Sequence, residues 1–402
     1  MRILQINSVV NTGSTGRITE EIGNTFIKNG HESYIAYGRK ALNSKSELIK
    51  IGNTSSVYRH GIQTLLTDKH CFFSVEATKQ FIIKIESLKP DVVLLHNLHG
   101  YYINIELLFN YFYKKNIPVV WTLFDCWAFT GHCTYFDDVN CEKWVKECFN
   151  CPKTNKYPKA WVDNSTFNYN QKKELFTSIL NLQIVTHSKW LSGKVQNSFL
   201  KKYKVNVTPS AVDINQFEPT ASNLKEKYKL NKYIILGCAN IWNERKGFED
   251  FLKLSKKLDA DFTIVLIGLS KSQLKNLPKN ILGIQRTESI KELAQWYTLA
   301  TVFVNPTTQD NFPTTNIEAL ACGTPVITYD TGGSPEAIDE NTGRIVDKND
   351  VDSLKEKILE FIQYDMSILS EHCRKRALAY YDKDKRYMDY LNICEKMILK
   401  NN

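Results

Sequence analysis

The sequence predicts an α/β protein of two domains, each a doubly wound parallel sheet covered by helices. The first observation is length. With 402 residues, the chain exceeds the ~250–300 residues at which a single core stops growing, so two domains are expected. The second observation is pattern: short apolar runs alternate with helical patterns from end to end, which is typical of parallel sheets with right-handed crossovers.

The composition is that of a soluble globular protein, with 43% hydrophobic and 24% charged residues. No run of about 18 apolar residues predicts a membrane-spanning helix. The start of the chain lacks the apolar centre of a signal peptide. We therefore expect a cytoplasmic protein.

A net charge of +9 allows two interpretations. The Lys and Arg residues are dispersed, which favours solvated helix faces. Alternatively, they provide a weak hold on an anionic membrane leaflet, where a lipid-linked substrate lies. No nucleic-acid-binding module is recognisable, so we expect no nucleic-acid partner.

The first domain is predicted over residues 1–210. It opens with a strand at Ile3–Ile6, a Gly-rich turn and a helix from about Arg17 to Lys28. Short apolar runs predict further buried strands at 34–37, 90–96, 118–123 and 183–188. Ser188 is placed to cap a helix that follows at 189–200.

The second domain is predicted over residues 211–380, after a linker near 207–219. Its strands are predicted at 233–237, 262–268, 301–305 and 325–329. Its helices are predicted at 246–258, 290–299 and around Glu318. From residue 351 the chain is almost entirely helical, and we expect a last helix over 381–402 to pack back on the first domain.

Ligands of open parallel sheets bind at the carboxyl ends of the strands, and the loop after the first strand is such a place. Gly13, Ser14 and Gly16 can bring the backbone there close to a phosphate at the start of a helix. The spacing departs from the full dinucleotide fingerprint. A tight turn without a ligand is therefore an equal alternative.

Arg245 and Lys246 lie at the start of a predicted helix of the second domain, a few residues after Asn240. Exposed cations are unfavourable beside the positive end of a helix dipole. Because this arrangement conflicts with local stability, it indicates the binding of a diphosphate. Solvated surface charges are the alternative.

The longest motif runs from Asp310 to Ile327. Asp310 follows a predicted strand, Glu318 comes eight residues later in a helix, and Thr314 or Thr315 is expected to cap that helix. Carboxylates accept hydrogen bonds from the paired hydroxyls of a sugar. The alternative, two acids that stabilise the helix dipole, leaves the intervening residues unexplained.

This motif resembles the donor-site signature of retaining glycosyltransferase family 4, which has an acid, seven residues, Glu and then Ala-x-Ala-x-Gly-x-Pro-Val-Ile. Further family motifs match at 188–191, 211–219, 246–247 and 331–336. The stretch Thr122–Cys133 resembles a bacterial subgroup linked to capsule, exopolysaccharide and O-antigen synthesis. The resemblance implies the GT-B fold, in which two Rossmann-like domains face each other across a cleft.

The resemblance also implies a role for each matching residue. Glu318 would bind the ribose, Asp310 would contact the transferred sugar, and Arg245 with Lys246 would neutralise the diphosphate. The remaining donor-binding positions would be Gly13, Ser14, Gly16, Asn240, Gln285, Asn311, Phe312, Pro313, Thr314 and Thr315. No cofactor would be required for catalysis, because fixed cations and N–H dipoles can stabilise the leaving group.

The chain departs from the family pattern at three positions. Asp310 replaces the usual Glu, Arg245 substitutes for an Arg that commonly lies earlier, and Phe124 occupies the place of an acceptor-side histidine. The candidates for the acceptor side are therefore His96, His99 and Asp125, and His132 is the candidate for a catalytic histidine.

Five of the ten cysteines crowd into an insertion at about 126–151. Cys148-x-x-Cys151 is a zinc half-site, which Cys133 and Cys141 could complete as a structural zinc site. The spacings are not those of a standard zinc finger. Reduced core thiols and a redox pair are the alternatives.

The leading hypothesis is a hexosyltransferase of bacterial surface polysaccharide synthesis. The enzyme would use a UDP- or GDP-sugar as donor and a glycan or lipid-linked molecule as acceptor. The anomeric configuration would be retained. Peripheral contact with the inner membrane leaflet is an additional option. One alternative is a nucleotide-sugar epimerase of the same fold. The other is a nucleotide-sugar-binding subunit with impaired catalysis, which Phe124 motivates.

Overall fold

The computed structural model describes residues 1–399 and divides into two compact units. The first unit holds Met1–Thr208 together with the residues from Tyr387 onward, and the second holds Pro209–Arg386. The boundary after Thr208 lies inside the stretch 207–219, where the sequence places the linker. Between residues 1 and 399, no helix combines the length and apolar character that crossing a bilayer requires.

A parallel sheet of seven strands forms the centre of the first unit. Its strands are β1 (Arg2–Asn7), β2 (Glu32–Tyr37), β3 (Glu47–Lys50), β4 (Val92–Leu95), β5 (Val119–Leu123), β6 (Leu182–Thr186) and β7 (Lys204–Val207). They lie in the order β3-β2-β1-β4-β5-β6-β7. Every residue of β4 and β5 is buried, because helices cover both faces of the sheet.

The helices of the first unit are α1 (Gly13–Lys28), α2 (Thr54–Thr67), α3 (Val75–Leu88), α4 (Ile105–Lys115), α5 (Ser165–Thr177) and α6 (Lys189–Gln196). Ser188 caps α6 as the sequence predicts, since its hydroxyl accepts a hydrogen bond from the Leu191 N–H at 3.0 Å. Two of the predicted helix bounds in this unit are wrong. The first helix already begins at Gly13, and α6 ends at Gln196 instead of near Leu200.

A second parallel sheet, of six strands, forms the centre of the second unit. Its strands are β8 (Tyr233–Cys238), β9 (Phe262–Ile267), β10 (Ile281–Ile284), β11 (Val302–Asn305), β12 (Val326–Tyr329) and β13 (Gly343–Val346). They lie in the order β10-β9-β8-β11-β12-β13. Tyr233 pairs with Phe262 and Phe303 pairs with Val326 in the parallel register.

The helices of the second unit are α7 (Leu224–Lys227), α8 (Phe248–Ser255), α9 (Lys271–Leu274), α10 (Ile290–Leu299), α11 (Thr314–Ala321), α12 (Val351–Phe361) and α13 (Met366–Tyr380). The last helix is α14 (Lys383–Leu399), whose residues from Tyr387 onward belong to the first unit. Tyr390 on α14 is buried there, within hydrogen-bonding distance of Thr122.

Each sheet has one point at which the chain reverses its direction of travel across the strands. In the first unit this point lies between β1 and β4, and in the second it lies between β8 and β11. The loops at the carboxyl ends of two such strands diverge and leave a crevice, where α/β proteins bind their ligands. A ligand site is therefore expected in each of the two crevices.

Candidate functional site

The loop after β8 carries two adjacent cations on a tightly fixed turn. The Asn243 side chain accepts a hydrogen bond from the Lys246 N–H at 3.1 Å and so caps a short 3-10 turn over Glu244–Lys246. Gly247 then has a φ of +74°, and a Cβ at this position would lie 2.4 Å from the Pro306 oxygen. Only glycine fits here, which explains the Lys-Gly pair of the sequence.

The loop after β11 is joined to this turn by backbone contacts. The Arg245 carbonyl accepts hydrogen bonds from the Thr308 N–H at 2.9 Å and the Thr307 hydroxyl at 3.1 Å. On the other side, Gly332 has a φ of +54° and approaches so closely that a Cβ would lie 1.8 Å from the Asp310 oxygen. The two loops of the β8–β11 crevice therefore form one fixed assembly.

Cations and an acid meet at this crevice. The Lys246 Nζ lies 2.6 Å from the Asp310 Oδ2, and an Arg245 guanidinium nitrogen lies 4.0 Å from the same oxygen. Arg245 also donates a hydrogen bond to the Gln309 carbonyl at 2.7 Å. The Lys246 and Asp310 side chains are 22% and 18% exposed. The group is thus accessible to a ligand and carries a net positive charge.

Helix α11 begins directly after this group. Its N-cap is Pro313, which makes no side-chain hydrogen bond to the helix. The expectation that Thr314 or Thr315 caps the helix is wrong, because Thr314 is already the first helical residue. The first N–H groups of a helix have no partner within it. The Asn316 N–H is bonded to the Pro313 carbonyl at 3.2 Å, so it is the N–H groups of Thr314 and Thr315 that suit an anion.

The residues between Asp310 and α11 contribute to the core as well. Asn311 and Phe312 are buried, and the Phe312 ring packs on Tyr381 with 5.9 Å between the ring centroids. The buried Phe312 side chain therefore fixes the loop to the core of the second unit. Any contact of Phe312 with a ligand would have to come from its backbone.

Glu318 lies in the middle of α11, where its carboxylate is held by a tyrosine. The Tyr297 hydroxyl donates a hydrogen bond to the Glu318 Oε2 at 2.9 Å. Tyr297 is fully buried, and this burial raises its pKa well above the ordinary value. The hydroxyl therefore stays protonated and fixes the orientation of the carboxylate.

Asn240 and Gln285, the two remaining predicted donor residues, are exposed loop residues. Asn240 follows β8 and belongs to the crevice. Gln285 follows β10, two strands away from β8 at the edge of the sheet. Both residues lie at the carboxyl edge of the sheet, as the sequence predicts. Along that edge, Asn240 follows the same strand as Lys246, whereas Gln285 lies two strands further away.

The crevice of the first unit brings together the loops after β1 and β4. The Asn97 N–H donates to the Asn7 Oδ1 at 3.2 Å, and Gly100 lies against Ser8. The glycine-rich stretch is not a free turn, because Gly13, Ser14 and Gly16 form the first turn of α1. These three residues still follow the carboxyl end of β1, but they belong to a helix and not to a loop.

A histidine–carboxylate pair lies beside this crevice. The His99 Nε2 is 2.9 Å from the Asp125 Oδ2, and its Nδ1 is 3.1 Å from the Tyr157 hydroxyl. Asp125 also accepts a hydrogen bond from the Trp127 N–H at 2.9 Å. The His99 and Asp125 side chains are 11% and 14% exposed. Of the acceptor-side candidates, these two are joined and accessible.

His96 has a different environment. It is 2% exposed, its Nε2 lies 2.9 Å from the Gln5 Oε1, and burial lowers its pKa to about 3. The imidazole is therefore neutral and belongs to the interior of the sheet, next to the ring of Phe124. The structure does not support a direct contact of His96 with an acceptor.

The structure does not support the predicted catalytic role of His132 either. Its Nδ1 is hydrogen-bonded to the Asp68 carboxylate, and neither side chain has any exposure to solvent. Asp68 in turn accepts a hydrogen bond from the Asn164 N–H at 2.9 Å. His132 therefore joins distant segments inside the first unit, where a substrate cannot reach it.

Several residues of the two sites could not be selected from the sequence. Tyr157 contacts His99, and His70 is buried among Tyr101, Trp127 and Tyr157 with both ring nitrogens unpaired. Tyr297, the partner of Glu318, lies on a different helix. No spacing signal marks them, because each meets its partner only through the tertiary fold.

Four of the five clustered cysteines line one cavity of the first unit, together with Phe136 and Trp144: Cys133, Cys141, Cys148 and Cys151. All ten cysteines are free thiols, and Cys133 is hydrogen-bonded to Cys151. Among residues 1–399, no group of three or more His, Cys, Asp or Glu side chains is arranged to hold a metal ion. The geometry thus gives the zinc prediction no support, and the choice between reduced thiols and a redox pair stays a prediction.

Comparison with known proteins defines the class. Residues 232–364, which span the β8–β11 crevice and α11, match the family described as Glycosyl transferases group 1. Over 99% of this chain and the full length of the relative, the sequence is 22% identical to WcaC of Escherichia coli (strain K12), a protein assigned as a glycosyl transferase of colanic acid biosynthesis.

Other relatives match over a shorter range. One of them is CapM of Staphylococcus aureus, a capsular polysaccharide biosynthesis glycosyltransferase. The match is 26% identical and covers 44% of this chain and 52% of CapM. Among solved structures, the sucrose-phosphate synthase of Thermosynechococcus elongatus superposes with a TM-score of 0.71 over 99% of both chains, at 16% identity. That likeness concerns the fold.

The fold and these matches define an enzyme class. The two parallel-sheet, Rossmann-like units have the architecture of GT-B proteins. Residues 232–364 of the second unit match the group 1 glycosyltransferase model, and the protein is a glycosyltransferase.

Proposed function

We propose that this glycosyltransferase moves a hexose from a nucleotide-sugar to a glycan or lipid-linked acceptor during the synthesis of a bacterial surface polysaccharide. The observation that carries the donor half is the Lys246–Asp310 pair in the β8–β11 crevice, with a 2.6 Å separation. The colanic acid and capsule assignments of the two relatives support the pathway class.

The leaving group is a nucleoside diphosphate, whose negative charge grows as the glycosidic phosphate bond breaks. Lys246 has three donors on its ammonium group. It can therefore keep its bond to Asp310 while it donates to a phosphate oxygen. Because Asp310 and Arg245 already hold this region in place, little reorganisation is needed, and fixed charges of this kind contribute most to catalysis.

Glu318 is the proposed partner of the ribose hydroxyls. A carboxylate has about four acceptor positions, and two neighbouring hydroxyls match it in geometry. The bond from Tyr297 fixes the plane of the carboxylate before the donor binds. A preorganised acceptor of this kind lowers the entropic cost of binding.

The proposal includes retention of the anomeric configuration, which the resemblance to glycosyltransferase family 4 implies. In this step the acceptor oxygen bonds to the anomeric carbon, the bond from that carbon to the phosphate oxygen breaks, and the acceptor proton goes to the leaving phosphate. Arg245 and Lys246 stabilise the charge on that phosphate. The anomeric proton coupling of the product in an NMR spectrum would reveal inversion and so refute this part.

His99 and Asp125 are the proposed contacts of the acceptor. The Asp125 carboxylate orients the imidazole through a 2.9 Å contact, so His99 can present a defined nitrogen to an acceptor hydroxyl. This arrangement takes the place of the histidine that the family has where Phe124 stands.

The deciding experiment is a nucleotide-release screen over UDP-, GDP- and other sugar donors, with and without lipid-linked acceptors. Acceptor-dependent release that is lost in Lys246→Met supports the proposal. Conversion of the donor to its epimer without an acceptor would identify an epimerase. Donor binding without turnover across the whole panel would identify an impaired binding subunit. Addition of EDTA is expected to leave the rate unchanged, because the cations of the site are side chains.

A further inference from the structure

Helix α2 of the first unit has an apolar outer face. His60 and Thr64 point into the core, whereas Tyr58, Ile62 and Leu66 are 69%, 59% and 48% exposed. These three residues are spaced by four positions, so they form one stripe along the helix. Single exposed apolar residues are ordinary, but a continuous stripe points to an interaction surface.

A second segment continues this stripe. The Trp161 N–H donates a hydrogen bond to the Leu65 carbonyl at 2.8 Å, which places residues 160–162 alongside the end of α2. The Trp161 side chain is 68% exposed and Val162 is 45% exposed. Tyr58, Ile62, Leu66, Trp161 and Val162 are called the α2 surface below. Tyrosine and tryptophan are the side chains that membrane interfaces favour.

The two segments that form the α2 surface carry positive charge only. Residues 54–67 and 152–162 contain no Asp or Glu, and they carry the exposed cations Arg59, Lys156 and Lys159. The acid that follows, Asp163, accepts hydrogen bonds from the Cys151 and Ser165 N–H groups. A cationic rim around apolar and aromatic side chains complements a bilayer with anionic headgroups.

The α2 surface shares its elements with the proposed acceptor site. Tyr157, four residues before Trp161, contacts His99 through its hydroxyl at 3.1 Å. His60, on the inner face of α2, packs edge-on against Tyr101. A lipid-linked acceptor whose tail stays in the bilayer next to α2 would therefore have its sugar close to His99 and Asp125.

We propose that the α2 surface docks the enzyme on an anionic lipid bilayer, so that it takes its acceptor from the membrane plane. The inference rests on the proposed function for the identity of the acceptor. The docking itself depends only on the exposed side chains and their charges.

The test uses the full-length protein in flotation assays with phosphatidylcholine vesicles and with vesicles that also contain phosphatidylglycerol. The wild type is expected to float with the anionic vesicles, more weakly at high salt. Two triple variants should each weaken binding at least about tenfold. The first removes apolar side chains (Ile62→Ser, Leu66→Ser and Trp161→Ser), and the second removes cations (Arg59→Gln, Lys156→Gln and Lys159→Gln). Leu180→Ser with Ile368→Ser removes equally exposed apolar side chains elsewhere, 79% and 53% exposed, and should bind like the wild type.

Equal flotation of the wild type and both triple variants would overturn the proposal. So would a wild-type dimer in sedimentation that becomes a monomer in the Ile62, Leu66 and Trp161 variant, since a second copy would then be the occupant. Donor turnover with a water-soluble acceptor separates the two proposals. The turnover rate should be unchanged in both triple variants. If the wild type showed no turnover, the proposed function would be contradicted, but the result of the vesicle-binding test would still stand.

Discussion

The Lys246 ammonium and the Asp310 carboxylate, 64 residues apart in the chain, lie 2.6 Å from each other at the point where the second sheet reverses its strand order. Arg245 reaches the same carboxylate at 4.0 Å. One acid therefore holds two cations in a crevice that lies next to an uncapped helix start. A diphosphate would meet preorganised positive charge there, which makes this relationship the centre of the proposed donor chemistry.

Removal of the lysine charge is expected to impair turnover far more than folding. Lys246→Met should lower kcat by about 10²–10³-fold, the usual effect of removing one fixed electrostatic partner of a leaving group. Steady-state rates with the responsive donor measure this. Lys253→Met is the matched control, since Lys253 is 59% exposed and pairs with Asp250 on the adjacent α8. Equal rates for both variants would remove Lys246 from the site.

The Glu318 carboxylate is expected to govern nucleotide affinity. Glu318→Gln should weaken nucleotide binding by about 1.5–3 kcal/mol, the range for a hydrogen bond to a charged group. Tyr297→Phe should weaken it less, because the carboxylate remains but loses its 2.9 Å bond. Calorimetry with UDP and GDP measures both, with the exposed Glu249→Gln on α8 as the control. Unchanged affinity in Glu318→Gln would contradict the ribose assignment.

The His99–Asp125 pair is expected to affect the acceptor alone. His99→Asn and Asp125→Asn should each lower kcat/KM for the acceptor about tenfold to hundredfold, as expected from the loss of one charge-assisted hydrogen bond. Hydrolysis of the donor without an acceptor should be unaffected. An equal loss of both activities would indicate a structural role instead. The exposed His372→Asn in the second unit provides the control.

Buried histidines predict an acid-sensitive first unit. Burial lowers the pKa of His60 and His96 to about 3 and that of His187 to about 4, from an ordinary value of 6.5. Their neutral forms fit the fold, so the associated stability is complete above pH 6.5. It is lost as the pH falls from 6.5 towards the folded values, at up to about 1.4 kcal/mol per pH unit for each imidazole.

Hydrogen exchange at pH 7 and pH 5 measures this effect, and peptides of the first unit should lose protection first. His187 donates through its Nδ1 to the Thr208 carbonyl at 2.8 Å. The variant His187→Asn keeps a donor but cannot titrate, so its melting temperature should fall less between these pH values. His372→Asn should behave like the wild type. A uniform loss of protection in both units would contradict this account.

The proximity of Lys246 to Asp310, the centre of the proposed donor site, could be predicted from the sequence because the signals are local. Lys246 and Asp310 each follow an apolar run that forms a buried strand, and loops after parallel strands meet at one edge. His132 could not be interpreted in this way. Its burial depends on Asp68, 64 residues earlier in the chain, and no periodicity links the two. The sequence does not predict the start of α1 at Gly13, because glycines suggest a turn, whereas here they form the first turn of the helix.

The cysteine cavity gives the last prediction. A hydrogen bond from Cys133 lowers the pKa of Cys151 to about 7, whereas burial raises the pKa of Cys148 to about 12. Cys151, which is partly exposed, should therefore be alkylated by iodoacetamide at a rate that reaches half its maximum near pH 7. Cys148 should stay unmodified in the folded protein. Mass spectrometry locates the adduct, and Cys151→Ser should abolish it. One equivalent of zinc in the purified protein, with Cys151 protected until a chelator is added, would instead establish the metal site.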